Sequence, residues 1–274
     1  MKADCHMHMV LDGMDWKASI GRGVSDDFIH ATLKTYQEKG YSYLRDGGDR
    51  FGVGKRAREL APQYGITYRT PLAPLCKEGH YGSFIGLRWE NLSQFARLVE
   101  RQKQQGADFI KIMIAGLMDF SNFGVLTEDG LAPKDIRELV HIAHDKGLSV
   151  MAHCNGAATT IAAAEAGVDS VEHGAYLNEE ALAAMTELGV IWVPTVSTVG
   201  NLLGKGRFPD RQVMQILDSL LENVDRYPGL LAPGSDAGAW AVPHSCDTEE
   251  AWLSKAGITA QRLDTGTAAI MEKF

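Results

Sequence analysis

Apolar and polar positions follow two alternating rhythms along the chain. Short, mostly apolar runs stand at Lys2–Met9, Tyr41–Arg45, Ile66–Pro71, Asp108–Ile114, Leu148–Ala152, Val168–Val171, Val190–Val193 and Leu230–Ser235. Brief runs of this kind, bounded by glycine or polar clusters, predict buried strands. Longer segments with a helical stripe lie between them, at Ser25–Lys39, Lys55–Tyr64, Asn91–Gln105, Pro133–Lys146, Ala157–Ala166, Asn178–Leu188 and Asp210–Arg226. Two more, Thr248–Lys255 and Thr259–Lys273, close the chain. The third segment shows the stripe plainly, with Leu92, Phe95, Leu98 and Val99 on one side. Ser25 followed by two aspartates reads as an N-cap with an acidic first turn. Pro133 opens a helix, and Gly147, Gly167 and Gly189 end helices.

Strands that alternate with helices imply parallel pairing. Eight such units within 274 residues predict an α/β fold of the (β/α)8 TIM-barrel kind, one domain over residues 1–274. A doubly wound open sheet is the alternative, though no GxGxxG follows the first strand. No linker or low-complexity run interrupts the pattern. A net charge of −8 argues against a nucleic-acid or anionic-membrane surface, so the expected partner is a small-molecule substrate, with a homo-oligomer left open. No apolar run is long enough to span a bilayer, and the first residues lack a secretory h-region, so a cytoplasmic location is expected. Cys5, Cys76, Cys154 and Cys246 then read as reduced thiols, Cys5 and Cys154 as small core residues. Cys5 and Cys154 each adjoin a histidine and are expected to face away from it.

Barrels of this class carry their chemistry at the C-terminal strand ends. The polar residues there are His6 and His8 on the first strand, Lys111 on the fourth, His153 on the fifth, His173 on the sixth and Asp236 after the eighth. His6 and His8 stand two apart and share a strand face. Imidazole and carboxylate together form a ligand set for zinc and other divalent metals. Lys111 lies inside Phe109-Ile110-Lys111-Ile112-Met113-Ile114, where a barrel strand offers no free edge. Burial there favours the neutral amine.

Five segments carry a resemblance that covers nearly the whole chain. Asp4-Cys5-His6-Met7-His8, Ala107-Asp108-Phe109-Ile110-Lys111-Ile112, Met151-Ala152-His153-Cys154, Val171-Glu172-His173-Gly174 and Gly234-Ser235-Asp236-Ala237-Gly238 resemble, in order, the strand motifs of the amidohydrolase superfamily. The likeness is to its binuclear, carboxylated-lysine type and its prolidase-like and imidazolonepropionase-like branch. The resemblance implies two divalent metal ions, zinc by default. His6, His8 and Asp236 would hold the first ion and His153 and His173 the second, with a carbon dioxide-derived carbamate on Lys111 bridging them. It implies a metal-bridging hydroxide as nucleophile and Asp236 as the catalytic acid–base. Members usually carry a β-sandwich around the barrel, and this sequence reads as a barrel lacking that flanking sandwich.

The implied activity is hydrolysis of an amide-type C–N bond in a dipeptide, an N-acyl amino acid or a cyclic amide. A lactonase or phosphotriesterase-like esterase, a single-metal deaminase and a non-catalytic barrel are the alternatives. Substrate contacts are expected from the loops after the strands. His80, in Lys77-Glu78-Gly79-His80-Tyr81-Gly82, is one candidate. Arg45 could pair with a carboxylate of the substrate or of the protein. Tyr176 follows His173, and His244 lies in the loop after the eighth strand. The segment from Gly116 to Leu131 holds Met118, Phe120 and Phe123 and has the composition of a lid. His141 and His144 belong to an outer helix surface, and Glu249 and Glu250 to the first turn of a closing helix.

Overall fold

The computed structural model describes residues 2–274. Among the described residues nine strands form in chain order: β1 Lys2–Met7, β2 Tyr41–Asp46, β3 Thr67–Arg69, β4 Leu75–Lys77, β5 Leu87–Trp89, β6 Ile110–Met113, β7 Val150–Cys154, β8 Ser170–His173 and β9 Ile191–Val193. All ladder pairs are parallel. They make two arcs, ordered β1-β2-β3 and β5-β4-β6-β7-β8-β9. The helices are α1 Trp16–Arg22, α2 Asp26–Glu38, α3 Val53–Leu60, α4 Leu92–Gln104, α5 Pro133–Asp145, α6 Ala157–Ala166, α7 Glu179–Glu187, α8 Ser197–Gly200, α9 Asp210–Arg226, α10 Thr248–Lys255 and α11 Ala260–Lys273. Among the described residues no helix is long and apolar enough to cross a membrane.

The predicted strand–helix alternation holds, with local differences. The third barrel strand is split. Its first half, β3, pairs with β2, and its continuation, β4, pairs with β6. Pro71 and Pro74 lie between the halves and lack the N–H that a continuous ladder needs. The predicted eighth strand makes only an isolated bridge, Trp192 to Leu231. Pro233 interrupts it in the same way. Scattered backbone bonds span the gaps between the arcs. Asp108 N–H donates to Thr70 O (3.0 Å), Ala232 N–H to Trp192 O (3.0 Å), and Cys5 N–H to Pro233 O (2.9 Å). The helix expected at 55–64 ends at Leu60 and continues as a 3-10 turn containing Pro62. Helix α1 lies where no element was expected.

Side chains sort by strand alternation. Ile110, Ile112, Val150, Ala152, Val171 and Trp192 face outward into the large apolar layer beneath α4–α10. Leu44 and Met7 face the layer beneath α2 and α3. Tyr43, Phe109, Met151, Ile191 and Val193 point inward and pack with Ala3, Cys5, Ala232, Ile270 and Phe274. Phe274 meets Phe109 edge-on at 5.2 Å, so the last helix plugs the floor of the barrel. Lys111, His153 and Glu172 share the inward phase of Phe109, Met151 and Ser170. All four thiols are buried and none is bonded to another, which includes the expected burial of Cys5 and Cys154. Cys154 does face away from His153, but Cys5 does not face away from His6. Its register with β2 shifts between Asp4 and Met7, and this bulge lets Cys5 and His6 both turn inward.

Candidate metal centre

Four devices bring the site residues together. The β1 bulge aims His6 inward, and the following alternation aims His8 the same way. Lys111 and His153 come from the regular inward phase of β6 and β7. His173 and Asp236 come from backbone turns, with φ of 70° and 55°. Thr195, beside them, has φ 47°. Left-handed conformations of non-glycine residues are strained and gather at functional sites. Gly174 is needed next to His173, because a Cβ there would lie 2.6 Å from Trp192 Nε1. That same Nε1–H donates to His173 O at 3.0 Å and holds the turn.

The resulting cluster is buried. Ligand atoms of His6, His173 and Asp236 lie within 4.8 Å of one another. Asp236 Oδ1 is 3.4 Å from both His6 Nε2 and His8 Nε2. The His153 and His173 rings meet at 4.4 Å, and the His6 and His173 rings at 4.9 Å. His173 Nδ1 pairs with Thr195 Oγ1 at 2.7 Å, which directs Nε2 away from the threonine. Lys111 is 1% exposed. Its Nζ, together with His6 Nε2, His8 Nδ1 and Asp236 Oδ1, has no hydrogen-bond partner. Unpartnered buried polar atoms are rare and call for an explanation.

Burial sets the protonation of the cluster. Desolvation, aided by the charge of Lys111, lowers His8 and His153 to about 3 and holds His6 and His173 well below the usual imidazole range. Burial also brings Lys111 down to about 8, against the pull of Glu172 and Asp236. It lifts Asp236 to about 7, against the pull of Lys111. The centre therefore presents neutral imidazoles, the form in which histidine binds metal.

The remaining candidates divide. His80 stands at the rim, its Nδ1 3.4 Å from Glu128 Oε2. Tyr176 is half-buried and its ring packs against Phe123 at 5.2 Å. Arg45 is not a substrate contact. It is fully buried below the ligands, with its guanidinium on Cys5 O, Ser170 Oγ and Glu172 Oε1. Of its two expected carboxylate partners, the structure selects the protein's own. His244 is not at the mouth either. It is wedged behind β1, with Nε2–H donating to Leu11 O at 2.7 Å and Nδ1 3.4 Å from Tyr36 Oη. Glu249 does not serve its own helix turn, but crosses to accept the Val196 and Ser197 N–H groups at the start of α8. His141 and His144 lie on the outer surface, as expected.

Glu172 is the main residue that the motif reading passed over. Its Oε2 lies 2.6 Å from His6 Nδ1. The Gly116–Leu131 segment is a hairpin, bridged between Met118 and Leu126. It touches three other loops, through Phe120 stacked on Phe208, Phe123 on Tyr176, and Glu128, which accepts the Tyr81 N–H. Tyr81 in turn packs on His153 at 4.9 Å.

The amidohydrolase family model matches residues 57–216, more than half of the chain. The chain belongs to the amidohydrolase family. An ochratoxinase of Aspergillus niger is 29% identical over 158 residues, which cover 56% of this chain and 30% of that protein. An uncharacterised protein of Mycobacterium tuberculosis is 25% identical over 198 residues, covering 68% of this chain and 52% of the other. The matches thus span about half or less of these relatives. Among solved structures, a Xaa-Pro dipeptidase with bound methionine superposes with a TM-score of 0.82 at 20% identity, over 99% of this chain and 75% of that one. The A. niger ochratoxinase structure gives 0.77 at 21% identity, over 99% and 70%. These likenesses are of fold: the two parallel arcs follow the α/β architecture of those structures.

Proposed function

We propose that this amidohydrolase-family chain is a binuclear metal-dependent hydrolase that cleaves an amide-type C–N bond in a dipeptide, an N-acyl amino acid or a cyclic amide. The observation that carries the reading is the approach of His6 Nε2 and His8 Nε2 to Asp236 Oδ1, 3.4 Å each, with His6 Nε2, Asp236 Oδ1 and the buried Lys111 Nζ all left without a hydrogen-bond partner. A polar group buried without a partner costs roughly 1–3 kcal/mol. A shared cation would satisfy several of them at once. The donor set of imidazoles and carboxylate suits zinc.

His6, His8 and Asp236 would hold one ion, and His153 and His173 the other. Lys111, near its titration midpoint in mildly alkaline solution, has a neutral fraction whose nitrogen can bond to the carbon of CO2 and release one proton. The resulting carbamate would add an anionic oxygen donor to the residues that would hold the metal. When bound, the metals would supply Lewis acidity and lower the pKa of a coordinated water towards ~7. Asp236, placed between the two first-strand histidines, would accept the nucleophile's proton at Oδ1 and return it to the leaving nitrogen. His80 and Tyr176 would contact the substrate from the rim, and the hairpin would exclude water.

The test is a hydrolysis screen of zinc- or manganese-loaded protein over dipeptides, N-acyl amino acids, lactams, lactones and phosphotriesters, with metal content measured in parallel. Turnover confined to lactones or phosphotriesters would move the bond assignment, and protein that takes up no metal would sink the reading. Lys111→Ala is expected to drop one of the two ions and to lose activity by at least about 10–100-fold, the loss seen when even an indirect metal partner is removed. Short carboxylic acids are expected to restore part of it. A variant with both ions and full turnover would exclude the carbamate.

A further inference from the structure

We propose that Glu172, clamped by Arg45, is a positioning residue that fixes His6 as its Nδ1–H tautomer and so leaves the Nε2 lone pair facing Asp236 and the rest of the cluster. The inference rests on the metal reading above, since a lone pair at that atom matters only to a ligand. Its first test nevertheless needs no metal.

The three side chains come from β2, β8 and β1, and each is fully buried. Glu172 Oε1 accepts Arg45 Nη2–H at 2.8 Å and the Ser170 hydroxyl at 2.5 Å. Its Oε2 faces His6 Nδ1 at 2.6 Å. Arginine has donors only, and a carboxylate paired with it has acceptors only. The hydrogen between Oε2 and Nδ1 therefore belongs to the imidazole. The other ring nitrogen, Nε2, is then bare, and it is one of the unpartnered atoms of the cluster. The ring is hemmed in by His8 at 5.4 Å and His173 at 4.9 Å. Arg45 fixes both ends of the arrangement, because its Nε–H also donates to Cys5 O, next to His6 in the chain, at 2.6 Å. Its guanidinium carbon lies 4.4 Å from the Phe274 ring centroid, so the barrel floor supports the clamp from below.

Glutamine at position 172 reverses the logic. Its oxygen must face the donor-only Arg45, which turns the NH2 towards His6. Nδ1 then has to accept, and the ring proton moves to Nε2. The expected result is a switched tautomer at nearly constant shape.

The experiment is side-chain 15N NMR of histidine in metal-free protein near neutral pH, with the His6 signals assigned by their loss in His6→Asn. Wild-type protein is expected to show protonated Nδ1 and bare Nε2. Glu172→Gln is expected to show the reverse, and to bind Zn2+ about 10–100-fold more weakly while keeping its circular dichroism and melting point. A wild-type His6 protonated at Nε2 would overturn the inference whether or not the variant folds. So would a folded Glu172→Gln that keeps the wild-type tautomer and a Zn2+ affinity within about two-fold of wild type. If wild-type protein shows the Nδ1–H form but binds no Zn2+, the hydrolase reading fails and the tautomer assignment stands.

Discussion

His244 shows how much a single side chain can be redirected by its surroundings. Read from the chain it is a loop histidine near the mouth; folded, it is a latch behind β1. Burial lowers it to about 4, partly offset by its bond to Leu11 O and by Asp12. The native protein thus keeps His244 neutral, whereas the unfolded chain takes up a proton below ~6.5. Its contribution to stability is complete above ~6.5 and is lost as the pH falls towards 4, up to about 3 kcal/mol. His244→Gln is expected to flatten the stability profile between pH 4 and 6.5 relative to wild type, as measured by urea unfolding. An unchanged slope in that window would contradict the burial account. The same scale shows what residue type alone can reveal. Lys111 stands out because a lysine in an apolar strand without an edge has nowhere to snorkel. Glu172 meets the same criterion, but its meaning lies in a partner 127 positions away. Arg45 likewise announces a carboxylate without saying whose.

At the scale of elements, periodicity sufficed for most strands and helices, since alternation and amphipathic stripes are local properties. It failed where a backbone departs from its repeat. The β1 bulge that turns Cys5 inward, the split at Pro71 and Pro74, and the positive φ of His173 and Asp236 are all set by neighbours. The hairpin of residues 116–131 is a further case. Its composition signalled a cover, but only the fold shows what it is tied to. Glu128 fastens it to the β4–β5 loop by accepting the Tyr81 N–H, with His80 alongside. Glu128→Ala is expected to free the hairpin, speeding limited proteolysis within 116–131 and raising KM more than it lowers kcat. Proteolysis at the wild-type rate would show that the aromatic contacts of Phe120 and Phe123 hold the hairpin unaided.

At the scale of the whole molecule, the seam between the chain's early and late parts runs through the site. Ser235 Oγ donates to Asp4 Oδ2 at 2.6 Å and accepts the Ala237 N–H at 3.0 Å, and Asp236 N–H donates to His6 O at 2.7 Å. Ser235→Ala removes both serine bonds and is expected to cost roughly 1–3 kcal/mol, enough to lower Tm by several degrees. A melting curve on metal-free protein checks this, and an unshifted Tm would show that the seam does not depend on the serine. The barrel class could be inferred from the count of strand–helix units. That its closure rests on scattered bonds could not, because each joins residues remote in sequence.

That seam also has a consequence in time. Asp4 and Ser235 are 231 positions apart. At translation rates of about 5–20 residues per second, the first-strand histidines are made roughly 10–50 s before Asp236. Until the segment around Asp236 is made, the backbone groups of Cys5, His6 and His8 lack the partners that Pro233, Asp236 and Ala237 supply in the fold. The cluster of His6, His8 and Asp236 can therefore assemble only after the last long-range contacts of the chain have formed.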